Sequence, residues 1–183
     1  MISNIRTLAI TLSCCAIGGI ANAQADFTLT SPAITGGGDL PMDFKCTRDG
    51  GGALTPGLQW SDAPIGTESF AVIMHHYPQN TTEGVDDPSQ YWLLWDIPAT
   101  TTDLPPGNPD SVGNEGADKD RTRTGYTPPC SPPGARHEYT ITVYALDAVP
   151  DLPQQDDISI NWSEMTDAID EHIIASSSIS FWN

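Results

Sequence analysis

Residues 126–147 read "YTPPCSPPGARHEYTITVYALD", and this stretch decides the fold. Its second half, Tyr139 to Leu146, runs Tyr-Thr-Ile-Thr-Val-Tyr-Ala-Leu. β-Branched and aromatic residues at a period of two favour an extended strand with one face buried. The first half cannot extend that strand. Pro128, Pro129, Pro132 and Pro133 each lack a backbone donor and hold φ near one value, so the segment is a stiff loop.

The same pattern recurs upstream. Ser69 to His76 is a nearly gapless apolar strand, and Tyr91 to Ile97 is a second one, stopped by Pro98. Shorter candidates are Asp26–Thr30, Leu40–Cys46, Leu58–Trp60 and Ile179–Trp182. Short strands between Gly- and Pro-rich turns predict a mostly β chain, an antiparallel sandwich or barrel. One short helix is expected near the C-terminus. Asn161 is its N-cap and Glu164 completes a capping box, while Met165, Ala168, Ile169 and His172 share one face. Pro98 to Arg136 is a long irregular stretch, and stretches of this length inside a domain are usually functional or disordered. Its prolines and Cys130 favour a folded, functional loop.

Residues 1–23 read as a secretory leader. Arg6 precedes an apolar run from Leu8 to Ile20, and Ala21-Asn22-Ala23 is an A-x-A cleavage site. The run falls short of the ~20 residues a spanning helix needs. A lipoprotein cut before Cys14 or Cys15 is the rival reading, and Thr11-Leu12-Ser13 fit it poorly. The expectation is a secreted or periplasmic single domain over residues 24–183, with no stable membrane insertion. Cys46 and Cys130 would then be the remaining cysteines. An even count in an oxidising compartment favours one disulfide over two separate thiols.

The chain has 7 basic and 24 acidic residues, a net charge of −17 at pH 7. Such a charge keeps a protein soluble and repels nucleic acid and anionic lipid surfaces. Nucleic acid is therefore excluded as a partner class.

The order of pieces resembles a known family. "GTESFAVIMHHYP", "YWLLWDIPA", "GYTPPCSPPGARHEYTITVYALDA" and "DAIDEHIIASSSI" are similar to segments of the phosphatidylethanolamine-binding protein (PEBP) family, in its bacterial Raf-kinase-inhibitor-like branch. The strongest match is the family pattern Y-x-G-P-C-P-P-x-G…H-R-Y-x-F-x-x-Y-A-L-D. It is met here at Tyr126, Pro129, Cys130, Pro132, Gly134, His137, Tyr139, Tyr144, Ala145, Leu146 and Asp147. Pro128, Ser131 and Glu138 depart from it.

The resemblance implies a PEBP-like antiparallel β-sandwich with a short C-terminal helix, long loops and a small anion pocket at one end. That pocket would take phosphate or a phospho-head-group and needs no cofactor. The alignment places His76 where the family has the ligand aspartate of its D-P-D-x-P motif, with Tyr77-Pro78 replacing the next two residues. Tyr91 falls where the family has its pocket histidine. His137 and Tyr139 match pocket residues, and Gly113 and Gly116 fall at the phosphate-contacting turn. The implied ligand set is thus His76, Tyr91, Gly113, Gly116, His137 and Tyr139.

Two histidines stand side by side at residues 75 and 76. Successive strand residues point to opposite faces, so both cannot enter one pocket while the strand stays regular. His76 is expected to enter it and His75 to face away or lie at the rim. Alternation likewise sends Tyr91 and Trp95 to the side opposite Trp92. His172, on the helix face, reads as structural. Imidazole in place of a carboxylate makes the pocket more positive, most of all below pH ~6.5. Metal binding by the histidines with Asp86 or Asp87 lacks any tight ligand motif. Two further readings are a protein-interaction or inhibitor module using the 98–136 loop, and a small-molecule enzyme. For the enzyme, His76 would be the base, Tyr91 or Tyr139 the acid, and the Gly113–Gly116 amides an oxyanion hole. No G-x-S-x-G nucleophile turn supports it.

Overall fold

A computed structural model describes residues 25–107 and 112–183. The leader expected over residues 1–23 lies outside them. In chain order the elements are β1 (Thr28–Thr30), β2 (Leu58–Ser61), β3 (Ser69–His76), β4 (Ser89–Pro98), β5 (Asp103–Leu104), β6 (Asn114–Glu115), β7 (Glu138–Leu146), helix α1 (Trp162–Ile169) and β8 (Ile173–Trp182). A small sheet has the order β1-β2-β5, and a larger one the order β6-β4-β3-β7-β8. Every pairing between these strands is antiparallel.

Strand β3 lies at the centre of the large sheet and is buried on both faces. Phe70, Val72 and Met74 pack with Leu29, Leu58 and Trp60 of the small sheet. Ala71 and Ile73 pack with Met165 and Ile169 of α1. This double burial is why the Ser69–Met74 run has no polar alternation. The molecule is a two-sheet sandwich with one helix on the outer face. Phe70→Ala would leave a cavity between the sheets at a cost of ~3–5 kcal/mol.

The helix begins as the sequence predicts. The Asn161 side chain accepts from the Ser163 amide at 2.9 Å, and Glu164 returns to the Asn161 amide at 3.3 Å. Met165 and Ile169 bury the apolar face. His172 lies beyond the helix, in a 3-10 turn, and pairs with Asp147 at 3.0 Å.

Two expected strands differ. Leu40–Cys46 forms a 3-10 turn at Met42–Phe44, followed by another at Thr47–Asp49. Pro41 has no amide to offer a ladder. The segment instead pairs with its own return, with Gly51, Ala53 and Leu54 donating to Cys46, Lys45 and Asp43 carbonyls. Strand β8 starts six residues earlier than Ile179. Ala175 to Ser178 are weak β formers, but they pair in register with Ala145 to Thr142 of β7, and further on hydroxyl pairs fasten Ser178 to Thr142 at 2.8 Å and Ser180 to Thr140 at 2.9 Å.

The 98–136 stretch is folded over its described residues. It contributes β5 to one sheet edge and β6 to the other. Cys46 and Cys130 form a disulfide with Cα atoms 5.3 Å apart, and the Cys46 amide donates to the Pro129 carbonyl at 3.0 Å.

Strand β4 carries a bulge that re-aims one side chain. Met74 faces Trp92 and His75 faces Gln90, so Tyr91 is an extra residue with no partner on β3. The bulge turns Tyr91 to the same inner face as Trp92, and both join the inter-sheet core. The expected opposition of Tyr91 and Trp92 is therefore corrected. Trp95 does take the other face, against α1.

Candidate functional site

Strand alternation sends the two adjacent imidazoles to opposite faces. His76 points to the inner side at the end of β3, where it is 8 % exposed. His75 points to the outer side and meets the Trp162 ring edge-on at 5.3 Å.

His76 sits among rings from β4, β7 and the loop before β7. The His137 ring stacks on it, with centroids 4.7 Å apart and planes 14° from parallel. Tyr139 lies at 5.0 Å and Tyr91 at 6.5 Å. Tyr91 and Tyr139 meet each other edge-on at 5.0 Å. Tyr139 in turn stacks on Phe181 at 5.7 Å, which anchors the group to the core. His137 is clamped by its backbone, since its amide donates to the Asn183 carbonyl at 2.7 Å and its carbonyl accepts from the Asn183 amide at 3.0 Å.

These four side chains line a cleft of about 380 Å³ at one end of the large sheet. Lys119, Ser89, Ser131, the Cys130 end of the disulfide, Pro78 and Pro132 complete its wall. Lys119 is held there by its neighbours. Its amide donates to Thr127 Oγ1 at 3.0 Å, and the Thr127 amide donates to the Tyr91 carbonyl at 2.7 Å. The buried Asp118 caps the turn that follows, accepting from the Thr122 amide at 2.8 Å.

The electrostatics follow from burial. His76 Nδ1 lies 2.8 Å from the Glu138 carbonyl oxygen. A carbonyl can only accept, so Nδ1 carries the proton and Nε2 is the nitrogen left for a ligand. Burial holds the His76 pKa below the ordinary imidazole value. The carbonyl hydrogen bond opposes that shift, and the nearby His137 and Lys119 add to it. Burial, with Tyr139 adding to it, pushes the Tyr91 phenol far upward, so it stays a neutral O–H donor. The cleft thus combines a phenol donor and the Lys119 ammonium with His76, whose free Nε2 accepts while the ring is neutral and donates only once it is protonated.

His76, Tyr91, His137 and Tyr139 come together. Gly113 and Gly116 do not line the cleft. They sit where β6 approaches β4, for a steric reason. Gly113 has φ +77°, and a Cβ there would stand 2.3 Å from the Trp95 carbonyl oxygen. A Cβ on Gly116 would stand 2.7 Å from the Ile160 carbonyl oxygen. The sequence reading missed Lys119 and Ser131. The rarity of basic residues in so acidic a chain is the signal that could have singled out Lys119.

Among the described residues one trio of metal-capable side chains converges, Cys46, Asp49 and Cys130, and its two sulfurs are already joined to each other. No helix among the described residues is long and apolar enough to cross a membrane.

A two-sheet antiparallel sandwich with a cleft walled by histidine and tyrosine rings defines the class of this protein. The model of the phosphatidylethanolamine-binding protein family matches residues 30–182. A UPF0098 protein of Chlamydia muridarum is 29 % identical over 157 residues, covering 82 % of this chain and 94 % of the relative. The lipoprotein LppC of Mycobacterium tuberculosis is 30 % identical over 144 residues, covering 73 % of this chain and 62 % of the relative. Among solved structures, Escherichia coli YbcL, described as a member of the mammalian PEBP family, superposes with a TM-score of 0.73. It is 27 % identical, and the match covers 86 % of this chain and 98 % of YbcL. This chain belongs to the phosphatidylethanolamine-binding protein family.

Proposed function

We propose that the protein binds a small phosphate-like or phospho-head-group anion in the cleft of His76, Tyr91, His137, Tyr139 and Lys119. The observation that carries this reading is the face-to-face stacking of His76 and His137 beside Lys119. Two imidazoles this close resist double protonation unless an anion offsets the charge. The two tyrosine hydroxyls can donate to the same oxygen atoms. The chain as a whole carries a net charge of −17, which favours a small anion over an anionic surface.

Export through a leader ending at Ala23 is part of the proposal. A disulfide persists in oxidising compartments, and one relative is named a lipoprotein.

The test is a crystal of the protein soaked in phosphate or cacodylate. Tetrahedral density within hydrogen-bond distance of His76 Nε2 supports the reading. A cleft holding water alone at saturating anion overturns it.

A further inference from the structure

The outer face of the large sheet carries a second and larger hollow, of about 640 Å³. It shares only His76 with the anion cleft. Its chemistry is different. Among the described residues, no lysine or arginine lines it. Its floor is a ladder of hydroxyls on neighbouring strands, with Thr140 and Thr142 on β7 and Ser176 and Ser178 on β8. Aromatic rings, Tyr77, Tyr144 and Trp162, stand along its margin, and the carboxylates of Glu83 and Glu138 lie at the exposed rim.

We propose that this hollow binds a neutral saccharide, as a site separate from the anion cleft. Aliphatic chains find no apolar floor there. Anions meet two carboxylates and no cation. The Nδ1 atom of His75 is buried and bonded to nothing, which favours the tautomer with its proton on Nε2. Burial also lowers the His75 pKa, so this ring adds no charge at neutral pH. The carboxylates are exposed, so water weakens their hold on an ammonium group. A sugar ring suits all of the remaining features. Its hydroxyls donate to the carboxylates and exchange hydrogen bonds with the Thr–Ser ladder. Its C–H face packs on an aromatic ring, an arrangement that lets the ligand keep its polar edges bonded.

The experiment is a titration of the 15N-labelled full domain with maltose, cellobiose and N,N′-diacetylchitobiose, read by amide shifts. At least one should give saturable shifts at Thr140–Tyr144, Ser176–Ser178 and the Trp162 indole, with a Kd between about 0.1 and 10 mM. The double variant T142V/S178A removes one hydroxyl pair together, along with the bond Thr142 makes to the Tyr144 hydroxyl. It should weaken that sugar at least fivefold while phosphate affinity stays unchanged. Tyr144→Phe provides a second variant with the same expectation for the sugar. Absence of saturable shifts with all three sugars overturns the proposal. So do sugar shifts that neither variant weakens, and putrescine binding the same amides more tightly than any sugar. None of these outcomes bears on the anion cleft, whose phosphate titration is separate.

Discussion

The rings of His76 and His137 lie face to face, 4.7 Å between centroids, although 61 positions separate them in the chain. β3 delivers one at its C-terminal end, and the proline-rich loop before β7 delivers the other. Among the described residues, neither ring has a carboxylate hydrogen-bonded to it. A charge on one therefore disfavours a charge on the other, and under the proposed function a bound anion would offset both.

Lys119 and His76 should separate by pH. Burial lowers the His76 pKa, so that ring charges only in acid. Lys119→Ala should weaken phosphate by about two- to fivefold at pH 8 and at pH 5.5 alike, the size expected for one exposed ammonium contact. His76→Ala should cost more at pH 5.5 than at pH 8. Parallel calorimetric titrations of both variants check this, and a strongly pH-dependent Lys119 effect would count against the assigned roles.

Stability should fall in mild acid. Burial lowers the pKa of both His75 and His76. Their unfolded value is ~6.5. The neutral form is the one the fold favours, so the contribution is complete above that value. It is lost as pH drops from there through the folded pKa values, with a slope of at most ~1.4 kcal/mol per pH unit for each ring. Urea unfolding at pH 7.5 and 5.0, in the absence of phosphate, should show a lower midpoint at pH 5.0. The His75→Gln variant should show a shallower dependence.

The disulfide should matter for both stability and site. Cys46 and Cys130 are 84 positions apart, and closing a loop of that size constrains the unfolded chain by ~4–5 kcal/mol in the chain-entropy model. Cys130 also lines the cleft. The C46S/C130S protein should unfold at a much lower denaturant concentration and bind phosphate more weakly under conditions where it stays folded.

Gly113 provides the opposite case. An alanine there would meet the Trp95 carbonyl and adopt a left-handed φ. Gly113→Ala should destabilise the fold by more than ~2 kcal/mol. Phosphate affinity of the folded fraction should not change, because the residue does not line the cleft. A selective loss of phosphate affinity at full stability would return the glycine turn to the site.

Much of this was legible in the residues. The gapless run of β3 and the alternation of β7 announced the two central strands. Asn161 and Glu164 marked the helix start. The His75-His76 pair resolved into opposite faces because strand geometry leaves no other choice. What the sequence hid was set by distant contacts. The first half of β8 is held by its backbone ladder with β7, which local propensity does not record. Tyr91 reaches the inner face through a bulge, and no periodicity count predicts an extra residue. Leu40–Cys46 folds back on itself because of Pro41 and the glycines beyond it. Lys119 joins the cleft only because the Asp118 turn and Thr127 carry it there.

Isothermal calorimetry of inorganic phosphate binding at pH 5.5 and pH 8 tests the central claim most directly. The wild-type protein should bind more tightly at pH 5.5, by about fivefold or more, and take up protons on binding, because the anion favours the charged imidazole. In His76→Ala most of that difference should vanish. Equal wild-type affinity at both values, or no detectable binding at either, would contradict the account.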